Sequence, residues 1–216
     1  MHFSKHDIEQ MPSRYRAHFI NSLSGYKSAN LVGTADHQGR QNLAIVSSVV
    51  HLGAQPPLVG MIMRPDVVER HTLANIRETG WYTLNQVHQS FWQQAHQTSA
   101  KYPAGESEFS ATGLTAEFIG DCPAPSVAES QLCYSVKLLS EQPIEYNGTI
   151  MLIGEIEQVV LKQPALFEDG HIDLNSLQTV AVAGLDGYHV GHALGRLQYA
   201  QPDSEPTVLE AKCKGD

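Results

Sequence analysis

The chain has 216 residues, which is long enough to bury one sizeable core without disulfides or structural metals. Hydrophobic residues make up 42% of it and charged residues 17%, an ordinary balance for a globular protein. The net charge of -9 argues against a general nucleic-acid-binding protein, although a local basic cluster can still bind a small anion.

The cysteine content and the absence of long apolar runs bear on the cellular setting. Cys122, Cys133 and Cys213 are widely spaced and match neither a disulfide framework nor a zinc motif. His189 and His192 are three residues apart, but the glycines beside them argue against a helix, so no metal site is expected. With no secretory segment and no membrane-spanning run, the sequence predicts a cytoplasmic protein without a membrane partner.

The first half of the chain predicts mainly strands. Residues 14–23 fit either a short helix or an approach to the core. Residues 28–36 predict a strand, the Gly-containing loop 37–40 predicts a hairpin, and residues 42–52 predict a second continuous strand. After the break at Pro56-Pro57, residues 58–63 form a third apolar run.

Residues 64–87, RPDVVERHTLANIRETGWYTLNQV, predict a basic loop, a short helix over about 73–78 and a further strand. Residues 90–100 have helical character, with Phe91, Trp92 and Ala95 on one side, and residues 102–113 predict a loop. Strands are expected at 132–139 and 149–161, joined at the Asn147-Gly148 turn. This pattern favours one mainly antiparallel β domain, a barrel or a sandwich, with a few helices.

Three basic residues, Arg64, Arg70 and His71, crowd the start of the predicted helix, although the N-terminal end of a helix is already positive. A bound anion between them would explain this arrangement. Thr72 is expected as the N-cap, and the free N–H groups of the first turn would complete a site suited to a phosphate monoester.

A different interpretation of the same segment requires no ligand. Arg64 and Arg70 would then pair on the surface with Asp66, Glu69 or Glu78, in contacts that contribute little stability.

Ser47 and Ser48 interrupt the apolar run of the second predicted strand. Alternation explains one polar residue facing water, but it does not explain two neighbours. Either the strand has an edge or bulge with a hydroxyl bonded to the backbone, or it ends where hydroxyls and backbone meet a polar ligand.

Short motifs in a characteristic order resemble the flavin reductase-like, FMN-binding split-barrel family. In chain order these motifs are Gly33-Thr34, Asp36, Gly39, Asn42-Leu43-Ala44, Ser47-Ser48, Pro56-Pro57, 72–76, Asn85, Ala95-His96, 107–109, 154–156, Gly170 and Asp173. The resemblance covers about residues 22–202, which implies an N-terminal extension at 1–21, an FMN-binding domain at 22–202 and a polar tail at 203–216.

The resemblance implies a six-stranded antiparallel Greek-key split barrel with a few peripheral helices, assembled as a homodimer with FMN near the interface. Ser47, Ser48 and Val49 would lie along the isoalloxazine ring or ribityl chain. The residues that would bind the phosphate end are Arg64, Arg70, His71, Thr72 and Asn75. His96 would lie next to the flavin.

Three positions depart from the pattern of the family. Arg70-His71-Thr72 stands where many members have Lys-Asp-Thr, and Ile45 and Val46 stand where many have proline and an aromatic residue. Gly148-Thr149 replaces an Asp-His pair found in the reductase partners of two-component monooxygenases, where the histidine is associated with the nicotinamide side.

Other candidates carry weaker expectations. Tyr188 and His189 are expected to pack rather than take part in redox chemistry, and Trp81 and Trp92 are expected in the core or an interface. No nucleophile–base set can be identified, and a flavin enzyme needs none because the cofactor carries the hydride chemistry.

The sequence therefore predicts an FMN-binding oxidoreductase, an NAD(P)H-dependent flavin reductase whose partners are flavin and NADH or NADPH. The alternative is an FMN-binding electron-transfer or flavin-holding protein without intrinsic NAD(P)H activity, which would pass electrons to an acceptor protein. A third alternative is a barrel of this kind that binds another phosphorylated cofactor or none.

Overall fold

The computed structural model describes residues 1–65, 71–103 and 105–210, and it is dominated by antiparallel strands. The helices are α1 (Lys5–Gln10), α2 (Ser13–Ser22), α3 (His71–Thr79), α4 (Trp92–Gln97) and α5 (Glu108–Thr112). The strands are β1 (Lys27–Ser28), β2 (Asn30–Ala35), β3 (Gln41–Val46), β4 (Val49–Ala54), β5 (Pro57–Met63), β6 (Trp81–Gln86), β7 (Ala116–Phe118), β8 (Pro125–Val127), β9 (Leu132–Ile144), β10 (Thr149–Leu161), β11 (Val180–Ala183) and β12 (Gly187–Val190).

The main sheet has seven strands in the order β3-β2-β6-β9-β10-β5-β4. Its two edge strands, β3 and β4, are consecutive in the chain and are separated only by Ser47 and Ser48. Because a two-residue link joins the two edges, the sheet must curl until they meet. The Ile62 N–H donates to the Ser48 carbonyl at 3.4 Å, which continues the β4–β5 pairing into this link. The predicted antiparallel barrel is confirmed.

The strand count differs from the prediction for one reason. The second strand was expected to continue through Ser47 and Ser48, but the chain bends there and forms two strands. Counted as one bent strand, β3 and β4 bring the main sheet to the expected six. Two smaller sheets, β1-β11-β12 and β7-β8, lie outside the main sheet.

The interior of the barrel is an apolar core covered by α3. Tyr82, Met61 and Leu152 are fully buried there, and α3 adds Leu73 and Ile76. A helix in this segment is confirmed, with Gly80 adopting a left-handed φ of 75° after its last residue. The burial of one face of α3 fixes the helix against the barrel.

A second core lies between the barrel wall and the outer helices. Leu31 and Leu43 from β2 and β3 pack with Phe91, Phe109 and Val180. The Leu43 N–H donates to the Glu108 carboxylate at 2.9 Å, which ties α5 to β3. This second core positions α4 and the β11–β12 hairpin.

Two local predictions in this region are wrong. Residues 102–113 were expected as a loop, but Ser107 caps α5 by accepting from the Phe109 N–H, and Gly113 ends the helix with a φ of 72°. Trp92 does not share the buried side of α4 with Phe91 and Ala95, since it is 39% exposed and therefore lies outside the core.

The N-terminal helices differ from α3 because neither α1 nor α2 contributes a buried residue. α2 confirms one of the two expectations for residues 14–23. No helix within the described ranges is both long and apolar enough to span a membrane.

Candidate functional site

The corner between β3 and β4 is the first part of the candidate site. The Ser48 hydroxyl donates to the Ile62 carbonyl at 2.8 Å, so one hydroxyl of the serine pair serves the backbone. Among the described residues, the Ser47 hydroxyl and the N–H groups of Ser47 and Ser48 have no hydrogen-bond acceptor. Val46 and Val49, on either side of the corner, pack against the barrel core. The corner is thus fixed by its neighbours and offers three hydrogen-bond donors.

The first turn of α3 is the second part of the site. Thr72 was predicted to cap this helix, and that prediction is wrong because Thr72 is already helical. Its hydroxyl oxygen instead accepts from Asn42 Nδ2 at 2.9 Å, in a buried contact between β3 and α3. No acceptor for the Thr72 hydroxyl proton is found in the described part of the chain, so this proton can still be donated.

Asn75 lies one turn further along α3 and is 8% exposed. Its side-chain amide donates to the Thr34 hydroxyl at 3.2 Å, and Asn42 approaches the same oxygen at 3.5 Å. Thr34, Asn42, Thr72 and Asn75 therefore form one buried polar network, called here the α3 network. It holds the start of α3 in a fixed position on β2 and β3.

The predicted basic residues are only partly described. Arg70 lies outside the described residues. His71 is exposed at the first position of α3, and Arg64 is exposed directly after β5. Met63, which precedes Arg64, packs in the same core as Leu73 of α3. Arg64 has no ion pair with Glu78 or any other described residue, while Asp66 and Glu69, the other partners considered for it, lie outside the described residues.

His96 lies apart from these groups, on α4 beside the second core. Its Nδ1 atom is 2.8 Å from the Tyr188 hydroxyl, and the two rings meet edge to face with centroids 5.6 Å apart. Tyr188 and Ile45 both pack against the second core. The His96–Tyr188 pair and the end of β3 therefore contact the same core. Sequence reasoning assigned Tyr188 to packing and missed its bond to His96, because 92 residues separate the two in the chain.

Gly148-Thr149, where this chain departs from the family pattern, lies at the turn between β9 and β10. The Thr149 hydroxyl donates to the Asn147 side-chain oxygen at 2.7 Å, and Gly148 has a φ of 71°. The Asn147-Gly148 hairpin is therefore confirmed. Thr149 contributes to the turn at this position.

The comparisons with known proteins agree with this geometry. A family model for the flavin reductase like domain matches residues 23–174. A protein of Halalkalibacterium halodurans is 30% identical over 156 residues, covering 69% of this chain and 74% of that protein.

Two solved structures extend the comparison. A candidate flavin reductase with a split-barrel domain from Shewanella frigidimarina is 58% identical with a TM-score of 0.90, covering 93% of this chain and 100% of that one. The flavoredoxin of Desulfovibrio vulgaris is 25% identical with a TM-score of 0.69, covering 83% of this chain and 92% of that one. The chain belongs to the flavin reductase-like family, a family of flavin-related oxidoreductases.

Proposed function

We propose that this protein binds FMN and reduces it with NADH or NADPH, as an NAD(P)H-dependent flavin reductase. The observation that carries the proposal is the β3–β4 corner, where three donors lack acceptors among the described residues of a chain that belongs to this family. Bound flavin would supply the capacity to accept a hydride and pass electrons on.

The donors at the corner fit the polar edge of an isoalloxazine ring, which carries carbonyl oxygens and ring nitrogens. Ser47 would donate through its hydroxyl and its N–H, and Ser48 through its N–H alone because its hydroxyl is used by Ile62. Val49 would supply an apolar contact beside them. Fixed donors at such an edge stabilise the negative charge that a flavin ring gains on reduction.

The start of α3 fits the phosphate end of FMN. The Thr72 hydroxyl proton and the N–H groups of the first turn are donors, and His71 and Arg64 add exposed basic groups near the same core. Asn75 would act by holding Thr34 and α3 in place, because one N–H of its side-chain amide donates to Thr34. Arg70 is included in the proposed phosphate site because it directly precedes His71 in the sequence.

Exposed apolar side chains support a homodimer with the flavin close to its interface. Val50 and Leu52 on β4 are 47% and 43% exposed, and Leu139 and Val159 on β9 and β10 are 51% and 55% exposed. β4 begins at the proposed flavin corner. A second copy covering these strands would therefore lie beside the bound cofactor.

Thr149 favours a second candidate function, an FMN-binding electron-transfer protein without intrinsic NAD(P)H activity. The histidine that the resemblance associates with the nicotinamide side is replaced by a residue that bonds within its own turn. Such a protein would hold FMN and exchange electrons with an acceptor protein.

Anaerobic reduction of the FMN-loaded protein separates the two functions. Rapid bleaching of the flavin spectrum by NADH or NADPH is expected for the reductase, and it identifies the donor. Flavin that binds but stays oxidised would contradict the reductase and support the electron-transfer protein.

Two variants sharpen the result. Thr149→His restores the histidine and is expected to speed bleaching, while Thr149→Ser retains a hydroxyl and is expected to leave the rate unchanged. A Thr149→His variant no faster than the wild type would show that this position does not limit reduction.

A further inference from the structure

A cleft of about 390 Å³ opens between α4 and the β11–β12 hairpin, outside the proposed flavin corner. Its volume lies within the range of small-molecule sites. The described residues that line it are Gln89, Trp92, Val180, Asp186, Tyr188, His189 and Val190. The cleft therefore combines aromatic rings, aliphatic side chains and a few polar groups.

Two aromatic rings form one part of the lining and are held in position. The Trp92 and Tyr188 ring centroids are 5.2 Å apart with planes inclined at 43°. The Tyr188 hydroxyl is fixed by His96 at 2.8 Å. The 39% exposure of Trp92 is notable because a large aromatic side chain left open beside a cleft provides a surface for stacking.

The charge of the cleft excludes one class of ligand. Asp186 is the acidic residue among the described lining residues, and none of them is lysine or arginine. Burial raises the pKa of Tyr188, and the Asp186 carboxylate raises it further. His18 on α2 approaches Asp186 at 3.9 Å, yet both side chains remain substantially exposed. An anion entering the cleft would meet this carboxylate; His189 shares the lining, and Lys27, whose ammonium donates to the Gly184 carbonyl at 3.4 Å, lies outside it.

We infer that this cleft binds a planar aromatic molecule that carries no negative charge, with its ring against Trp92 and Tyr188. Neutral or cationic ring compounds are the expected class, since aromatic faces attract cations and Asp186 repels anions. Tyr188, which lines the cleft, is bonded to His96, and the family resemblance places His96 beside the flavin. The role of the ring compound as a second substrate rests on the proposed function, whereas ring binding itself does not.

Three single-ring probes of similar size test the inference: benzylamine, benzyl alcohol and benzoate. The chain has two tryptophans, so its nitrogen-15 spectrum has two indole N–H signals, which Trp92→Phe assigns. Benzylamine and benzyl alcohol are expected to shift the Trp92 signal in a saturable way. Trp81 packs near Lys137 at 5.9 Å and serves as the internal control, because its signal should stay unchanged.

The order of affinities decides the ligand class. Benzoate is expected to bind about tenfold more weakly than benzylamine, and Asp186→Asn is expected to remove most of that difference. Benzoate binding as tightly as benzylamine in the wild type, or a Trp92 signal that none of the probes moves, would overturn the inference.

A pair of tyrosine variants tests the ring contact. Tyr188→Leu is expected to weaken benzyl alcohol binding by about tenfold. Tyr199→Leu is its matched control, because Tyr199 is 90% exposed outside the cleft and its loss should change nothing. Equal probe affinity in the Tyr188→Leu variant and the wild type would remove the ring contact from the inference.

The titrations are run on both FMN-free and FMN-loaded protein, so that failure of the cleft and failure of the proposed function are distinguishable. Probe binding in a protein that NADH and NADPH do not reduce would support the cleft and contradict the reductase. Rapid flavin reduction without probe binding would support the reductase and contradict the cleft.

Discussion

The β3–β4 corner with the α3 network and the cleft beside β12 are built in opposite ways. The α3 network consists of buried amides and hydroxyls that bond to one another, and the donors left over lie next to basic residues. The cleft consists of partly exposed rings and a carboxylate. The first region suits an anionic, acceptor-rich ligand and the second an uncharged or cationic ring. Neighbouring surfaces of one barrel can therefore select two different molecules.

The difference in burial predicts different consequences of mutation. Asn42→Ala is expected to lower the free energy of unfolding by about 1–3 kcal/mol, because the buried Thr72 hydroxyl loses its donor, while Thr34 keeps its bond from Asn75. FMN affinity should fall with it, since α3 loses its anchor on β3. Denaturant unfolding and FMN titration measure the two effects.

The matched control is Gln41→Ala, a half-buried amide on the same strand with no described side-chain bond. It should leave both quantities close to those of the wild type. An Asn42→Ala variant as stable as Gln41→Ala would contradict the structural role of the network.

The second prediction separates ligand binding from stability. Arg64→Ala combined with His71→Ala is expected to weaken FMN binding by about tenfold without changing unfolding, because both side chains are exposed. Riboflavin, which lacks the phosphate, should bind the variant and the wild type equally well. An equal loss for riboflavin and FMN would place these residues away from the phosphate. Arg14→Ala, which removes an exposed arginine on α2, is the charge control.

The third prediction concerns the serine pair. Ser47→Ala is expected to weaken FMN and riboflavin alike by about threefold to tenfold, because it removes one free donor from the ring edge. Ser48→Ala should lower stability more than Ser47→Ala, since only the Ser48 hydroxyl bonds to Ile62. If Ser47→Ala affected FMN alone, this hydroxyl would belong to the phosphate end.

The smallest expected effect tests the negative field of the cleft. The pKa of Tyr188 is raised by burial and by Asp186, so Asp186→Asn should lower that pKa towards the ordinary tyrosine value. An ultraviolet titration of the wild type, the variant and Tyr188→Phe isolates this one phenol. A pKa that does not move in Asp186→Asn would show that the field of the carboxylate at the Tyr188 ring is too weak to exclude anions.

Local signals in the sequence predicted the parts of the fold that depend on neighbouring residues. The Asn147-Gly148 turn and the Gly80 stop require particular backbone conformations, and both hold in the structure. The apolar run in residues 42–52 predicted strand but not the bend at Ser47 and Ser48, because a bend in a barrel is set by closure of the whole sheet. Helix α5 was missed because five residues give too short a pattern.

Contacts between residues far apart in the chain could not be predicted from the sequence. Thr72 has the right residue type for an N-cap, yet Asn42, thirty positions earlier, takes its hydroxyl. Tyr188 was assigned to packing because its bond to His96 joins separate parts of the chain. The family resemblance supplied the location of the candidate site, while the hydrogen-bond partners of its side chains could be assigned only from the structure.

The most direct measurement for the central claim is a parallel equilibrium titration of the wild-type protein with FMN and with riboflavin. The donors at the corner and the basic start of α3 predict that both flavins bind and that FMN binds at least about tenfold more tightly, through its phosphate. Equal affinities would contradict the phosphate site at α3, and failure of both flavins to bind would contradict the flavin site altogether.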